Sequence, residues 1–184
     1  AVLADGISQE VGLSTNLFFG TFSASLIISA LIGPKVGRAI DRASGNGVLS
    51  ISSLLFASAL CLLAYAHSYV MFALAWVLMG IGMGLGLYDA AFATLGRLYG
   101  RDARGATTGI TLLAGFASTI GWPLTAWGAS EIGWRDTCLT WAAAHIVLGL
   151  PLNYFLPRPR DLAVSAKVAD APVPIDRTMV LLAF

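Results

Sequence analysis

Two ionisable side chains lie well inside apolar stretches of this sequence, where they could handle a proton. Asp89 follows a glycine-rich segment, and His145 stands near the middle of a later apolar run. A carboxylate at membrane depth costs about 2.5–3.5 kcal/mol, so it usually faces a wet cavity or takes up a proton. Asp89 is therefore a candidate for proton coupling, with two alternatives open: hydration near the cytoplasmic end of its segment, or a structural pairing. We interpret His145 as a packing residue.

The other reactive residue types do not form an enzyme site. Cys61 and Cys138 lie in apolar segments without a partner at a useful spacing, so free thiols are expected. The sequence has no zinc pattern and no nucleotide-binding loop, and no nucleophile or ligand set surrounds Asp89 or His145. We predict no enzymatic activity, no metal and no cofactor, and an intramembrane enzyme is the least favoured alternative.

The composition indicates that a lipid bilayer surrounds most of the chain. Of 184 residues, 57% are apolar and 11% charged, and the formal net charge is +1. Ordinary soluble domains carry roughly 25% charged residues. The balance of charge gives no reason to expect a nucleic-acid partner. Helices of about 20 apolar residues cross a bilayer, and five segments qualify: 15–40, 48–66, 69–95, 106–129 and 137–156.

Ten of the eleven basic residues fall into three clusters. Because Lys and Arg favour cytoplasmic loops, these clusters predict which ends of the segments face the cytoplasm. Residues 1–14 then lie outside, and Arg135 is the one basic residue in an outer turn. The clusters are Lys35, Arg38 and Arg42; Arg97, Arg101 and Arg104; and Arg158, Arg160, Lys167 and Arg177.

The two ends of the sequence suggest an internal fragment of a longer protein. An odd number of spans that starts outside is most simply completed by a helix before residue 1. Residues 157–177 are polar and contain Pro, which is typical of a cytoplasmic linker, and 178–184 resemble the start of another span. We therefore expect a bundle over 1–156 that holds spans two to six, partnered by a missing first helix and a C-terminal bundle.

Three short motifs carry a resemblance to a known family. The run from Gly37 to Arg42, with Asp41 inside it, resembles the signature between spans two and three of the major facilitator superfamily. Ser44 stands where that signature usually has its second Gly. Arg104-Gly105 is similar to the start of the family's fifth helix, and Gly133-Trp134-Arg135 is similar to the turn before its sixth.

The resemblance implies both a fold and a function. The fold is an all-α polytopic membrane helix bundle, a partial N-terminal half that lacks most of helix 1. The function is secondary transport of a small solute by alternating access, with a proton as coupling ion and possible kinship to bacterial monocarboxylate carriers of small organic anions. The expected location is the bacterial inner membrane. The alternative is a non-transporting membrane sensor or assembly subunit with the same fold.

The resemblance also implies a conformational latch at the cytoplasmic end. Asp41 could pair there with arginines at the end of span four, although a single exposed pair is worth only about 0–1 kcal/mol. The alternative is that Asp41 merely balances nearby anchoring cations. Gly33 and Gly37, four residues apart, predict a close helix approach. The latch residues are Gly37, Arg38, Asp41, Arg42, Arg97 and Arg101.

Span five supplies a candidate for the solute site. Trp122 stands between Gly121 and Pro123, where family antiporters have Gly followed directly by Pro, so a drug antiporter is not predicted. Trp122 is expected either to line a cavity or to anchor at the interface, and together with Asp89 it forms the predicted substrate or proton-coupling site. Trp76 takes the place of an Arg that many antiporters of the family carry in span four.

Overall fold

A computed structural model describes residues 2–42 and 45–156, and every regular element in these ranges is helical. The predicted all-helical bundle is confirmed. A 3₁₀ turn covers Gly100–Asp102 and a π-helical turn covers His145–Gly149. The helices are α1 (Ala4–Val11), α2 (Thr15–Arg42), α3 (Gly45–Ala64), α4 (Tyr69–Gly86), α5 (Tyr88–Tyr99), α6 (Ala103–Glu131), α7 (Gly133–Ala144) and α8 (Leu150–Tyr154).

Four helical stretches in the described ranges are long and apolar enough to cross a membrane. They are Thr15–Arg42, Gly45–Ala64, Tyr69–Tyr99 and Ala103–Glu131. The segment predicted as a fifth span, 137–156, lies mostly in one continuous helical run from Gly133 to Tyr154, which α7, the π-helical turn and α8 form together. The linker expected at 157–177 and the helix start expected at 178–184 lie outside the described residues.

Helix α3 lies at the centre of the bundle, with α4 on one side and α7 and α8 on another, while α2 packs against α4. The largest core is apolar and joins α1, α2, α3, α4 and α7. Phe72 on α4 is fully buried there and meets Phe18 of α2 with ring centroids 5.2 Å apart. Aromatic contacts of this kind add about 0.5–1.5 kcal/mol to the burial of apolar area.

Alternating glycines let α4 pack closely on two sides. A Cβ added to Gly80 would lie 2.5 Å from the carbonyl oxygen of Ser25, so α2 touches the backbone of α4 there. Gly82 and Gly86 face α3 instead, and a Cβ on Gly86 would collide with the Ser52 side chain. Small residues four apart allow this approach between helices in membranes. The glycines of α4 thus serve packing on two sides of the helix.

The helix predicted over 69–95 breaks at Leu87, whose backbone is extended (φ −82°, ψ −167°). The Leu87 N–H still donates to the carbonyl of Met83, so the last turn of α4 is closed before α5 begins at Tyr88. Helix α4 alone has 18 residues, which is about 27 Å at 1.5 Å per residue. This length nearly crosses a hydrocarbon core of about 30 Å.

Candidate functional site

An open cavity of about 320 Å³ lies beside α3, between α1, α2, α4, α6 and α7. Its volume is in the range of sites for small molecules. Among the described residues that line it, none is Lys, Arg, Asp or Glu, so the wall is aromatic and aliphatic. The lining residues are Val2, Leu3, Ala4, Ile7, Phe18, Phe19, Phe22, Leu60, Leu63, Trp76, Met79, Trp122, Thr125 and Cys138.

Trp76 is central to the aromatic wall. Its ring meets the edges of Phe18 and Phe22 at centroid distances of 6.0 and 5.3 Å. It also lines a second, smaller cavity of about 220 Å³ between α2 and α4. The indole N–H of Trp76 is buried without a hydrogen-bond partner among the described residues. An unpaired buried donor costs about 1–3 kcal/mol, so a small movement that brings it an acceptor is favoured.

Trp122 lines this cavity, as one of its two predicted roles requires, whereas Trp127 on the same helix does not. Both rings are largely exposed, at 67% and 64%. Thr125 lies between them, donates to the carbonyl of Gly121 at 2.6 Å and accepts from the indole of Trp141 at 3.1 Å. The Thr125 hydroxyl oxygen keeps a second lone pair for a further donor.

Asp89, the other predicted member of this site, lies away from the cavity. It is exposed and stands in the first turn of α5. Gly80 of α4 lies against Ser25 of α2, and Gly84 lies against Ser29. Because the contact moves forward by four residues on both helices, α2 and α4 run in the same direction. Since Arg97 reaches Ile40 further along, Asp89 lies level with the α2 segment between Ser29 and Ile40. That segment carries Lys35.

The structure brings the predicted latch elements together through a main-chain contact. Arg97 on α5 donates from Nη1 to the carbonyl oxygen of Ile40 at 2.6 Å. Ile40 is fully buried, while Arg38, Asp41 and Arg42 beside it are exposed. In the described part of the chain Asp41 makes no ion pair with Arg97. The arginine thus binds the carbonyl end of α2, where the helix dipole is negative.

Gly33 and Gly37, predicted to allow a close helix approach, have no near neighbour among the described residues. No described atom lies within 4 Å of a Cβ added to Gly33 or Gly37, so the predicted close approach is not made by the described residues. Arg101 has its backbone in the 3₁₀ turn that follows α5. The close contact at this end is made instead by Gly45, where an added Cβ would collide with Thr94 of α5.

His145 lies in the π-helical turn and is half-buried. Its ring stacks on Phe56 of α3 at 5.1 Å, with 24° between the planes. Close by, Asn153 donates to the Leu49 carbonyl at 3.2 Å and to the Ser53 hydroxyl at 2.9 Å. These contacts place His145 in the packing between α3 and the end of the bundle, as interpreted from the sequence.

A polar cluster around Arg135, here called the Arg135 network, was missed by the sequence reasoning. Arg135 donates from Nε to the Glu10 carboxylate at 3.0 Å and from Nη2 to the Ala66 carbonyl at 3.1 Å. Its Nη1 donates to the carbonyl of Ala64, and its Nη2 lies 3.5 Å from His67 Nδ1. The signals in the sequence were that Arg135 stands alone, far from the basic clusters, and that it ends the Gly133-Trp134-Arg135 motif.

The Arg135 network also affects the ionisation of Glu10. The indole of Trp134 and the guanidinium of Arg135 beside it lower the pKa of the Glu10 carboxyl below its ordinary value. The guanidinium carbon of Arg135 lies 4.4 Å from the ring centroid of Trp134, a cation–π distance. The network therefore joins α1, the end of α3 and the start of α7.

Comparison with protein families matches residues 1–183 to the Major Facilitator Superfamily. The chain belongs to this family. No curated protein and no solved structure gave a match. Members of the Major Facilitator Superfamily are multi-pass membrane transporters of small molecules rather than enzymes, and the chain is therefore a membrane transporter protein.

Proposed function

We propose that this chain is a secondary transporter that moves a small solute by alternating access, and that the 320 Å³ cavity belongs to its solute pathway. One observation carries this proposal: α1, α2, α4, α6 and α7 together leave an open, aromatic-walled cavity next to Trp76 and Trp122. Solute sites in transporters lie between packed helices. The cavity has the size of such a site.

The chemistry of the wall indicates which part of a solute it holds. Aromatic and aliphatic side chains bind the apolar body of a small molecule, and Thr125 accepts one hydrogen bond from it. The proposed solute is a small organic anion. Since no described lining residue is Lys or Arg, its charged group points away from this wall, toward a cation supplied elsewhere.

Proton coupling is the second part of the proposal, with Asp89 as its candidate. The residue is exposed in the described structure and level with the basic segment of α2, which supports proton uptake near that end of the bundle. Uptake is compared between wild type and Asp89→Asn across a range of pH. A shifted pH profile in the variant supports coupling through Asp89, and an unchanged profile removes it.

The proposed arrangement in the membrane follows from helix direction. Because α2 and α4 run in parallel, the basic residues at the end of α2 and the end of α5 lie on one side of the bundle. We propose that this side is cytoplasmic in a bacterial inner membrane. In this arrangement residues 1–156 form the bundle, 157–177 a linker and 178–184 the start of a further span.

Uptake into proteoliposomes tests the proposed function. A panel of radiolabelled small monocarboxylates, amines and sugars is offered with and without an imposed pH gradient. Trp122→Ala should lower uptake of the transported solute several-fold, while the matched control Trp127→Ala, equally exposed on the same helix, should not. Equal effects of the two variants on uptake would show that the cavity is not part of the solute pathway. Absence of uptake for the entire panel would favour the sensor or assembly subunit.

A further inference from the structure

Helix α1 forms one wall of the cavity and is held there by its contacts with the rest of the bundle. The neighbour that it contacts most is α2, and its buried side chains are Ala4 and Ile7, both of which line the cavity.

Two contacts with the start of α7 anchor α1. Gly6 lies against Trp134, since an added Cβ would stand 3.0 Å from Cδ1 of that ring. One turn further on, the Glu10 carboxylate accepts from Nε of Arg135 at 3.0 Å. The same guanidinium donates to the carbonyls of Ala64 and Ala66 at the end of α3. A single side chain therefore ties α1 to both α3 and α7.

The form of the guanidinium group suits this task. Its donors diverge in a fixed plane, so one arginine reaches a carboxylate and two carbonyls at once, which a lysine does not. Arg135 is partly buried, with 28% of its side chain exposed, and stacks over Trp134. Burial and stacking hold the guanidinium in one position. A change that moves the guanidinium from this position therefore weakens all of its hydrogen bonds together.

We infer that Arg135 is a positioning residue that holds α1 across one side of the cavity, and that Glu10 is its attachment point on α1. Without this tie, α1 moves away from α7 more often and uncovers the cavity. The position of Ala4 and Ile7, and with it the shape of the solute site, then depends on a contact outside the cavity itself.

Cys138 offers a direct readout of this opening. It is fully buried, lines the cavity and belongs to the same core as Ala4 and Ile7. Its reaction with N-ethylmaleimide in the full-length protein reconstituted in liposomes follows the fraction of molecules in which α1 has moved away and Cys138 is uncovered. Mass spectrometry of the peptide that carries Cys138 separates this signal from that of Cys61.

We expect Arg135→Lys to raise the labelling rate of Cys138 about tenfold, since charged hydrogen bonds are lost, and Glu10→Gln to raise it less. Asp5→Asn is the matched control, because Asp5 is also an exposed acid on α1 but makes no ion pair in the described part of the chain. Asp5→Asn should leave the labelling rate of Cys138 unchanged. None of the variants should change the labelling rate of Cys61. Wild-type labelling in both Glu10→Gln and Arg135→Lys would overturn the inference, and Glu10→Gln decides the matter if Arg135→Lys fails to fold.

Only the effect on transport rests on the proposed function. If the cavity binds the solute, Glu10→Gln should raise KM for uptake and leave kcat nearly unchanged, whereas a general loss of folded protein lowers uptake without changing KM. Faster Cys138 labelling with an unaltered KM keeps the role of Arg135 and rejects the cavity as the solute site. Unaltered labelling rejects the role of Arg135, whatever the uptake shows.

Discussion

The two ends of the bundle each use an arginine to bind backbone carbonyls at the end of a helix, but with very different numbers of partners. At one end, Arg97 reaches a single carbonyl, that of Ile40 on α2. At the other, Arg135 binds Glu10 and two carbonyls and approaches His67. Helix α3 connects the two, since Gly45 at its start packs on α5 and Ala64 at its end meets Arg135.

The difference shows that basic residues are most numerous at the end of the bundle where they make the fewest hydrogen bonds. Several cations gather near the end of α2 and remain exposed, as expected for charges that face water or lipid headgroups. Arg135, which has no basic neighbour in sequence, is the residue that holds separate elements together. An isolated charge next to an aromatic residue is therefore a stronger indication of a structural contact than a cluster of charges.

The largest expected effect is on Arg135. Arg135→Ala leaves two carbonyls and a carboxylate without their donor and should lower the free energy of unfolding by about 3 kcal/mol. Denaturant titration of the purified protein in detergent measures this change. Arg104→Ala, an exposed arginine at the other end, serves as control. If Arg135→Ala lowered the free energy of unfolding no more than Arg104→Ala does, the two ends would not differ in how much their arginines stabilise the protein.

A smaller effect is expected at the opposite end. Arg97→Ala removes one hydrogen bond to a buried backbone group, so the free energy of unfolding should fall by about 1 kcal/mol. The same titration applies, with Arg38→Ala, which is exposed on α2, as the matched variant. If Arg97→Ala proved as costly as Arg135→Ala, the number of hydrogen-bond partners of each arginine would not explain the stability of either end.

Acid should weaken the Arg135 end selectively. The pKa of Glu10 is lowered in the folded protein, so its contribution to stability is present above the ordinary pKa of glutamate. It is lost as the pH falls through the lower, folded-state value. The thermal midpoint of wild type should therefore drop toward that of Glu10→Gln in acid, and the gap should be largest near neutral pH. A gap that does not depend on pH contradicts this.

The smallest effect on stability is expected for Asp41. Its carboxylate is exposed and unpaired with Arg97, so Asp41→Asn should change the free energy of unfolding by less than about 0.5 kcal/mol. If Asp41 belongs to a latch, uptake should nevertheless fall sharply while the amount of protein in the membrane is unchanged. Normal uptake by this variant would leave Asp41 as a charge that balances its basic neighbours.

The helical bundle could be predicted because the length of each apolar segment can be read directly from neighbouring residues in the sequence. Residues 15–40 and 106–129 were expected as spans, and α2 and α6 cover both with a few residues to spare. The spacing of the α4 glycines is also local information, since it places them on the two helix faces that pack against α2 and α3. These features depend on periodicity and composition, which the sequence contains in full.

The break at Leu87 could not be predicted in the same way. No proline stands there, and the apolar character continues from α4 into α5. The break coincides with the tight approach of Gly86 to Ser52, a contact between helices that are remote in the chain. Asp89 consequently stands in the first turn of a new helix instead of the middle of a long one.

The sequence alone determined the class of this protein, the approximate extent of its membrane helices and its family, because hydropathy and short motifs are local properties. Only the tertiary structure decided that Trp122 faces a cavity and Trp127 does not, and that Arg135 joins three separate segments. Those relations depend on how the helices are rotated and aligned against each other. Hydropathy is nearly uniform around such helices, so it does not specify their rotation, which packing and hydrogen bonding set.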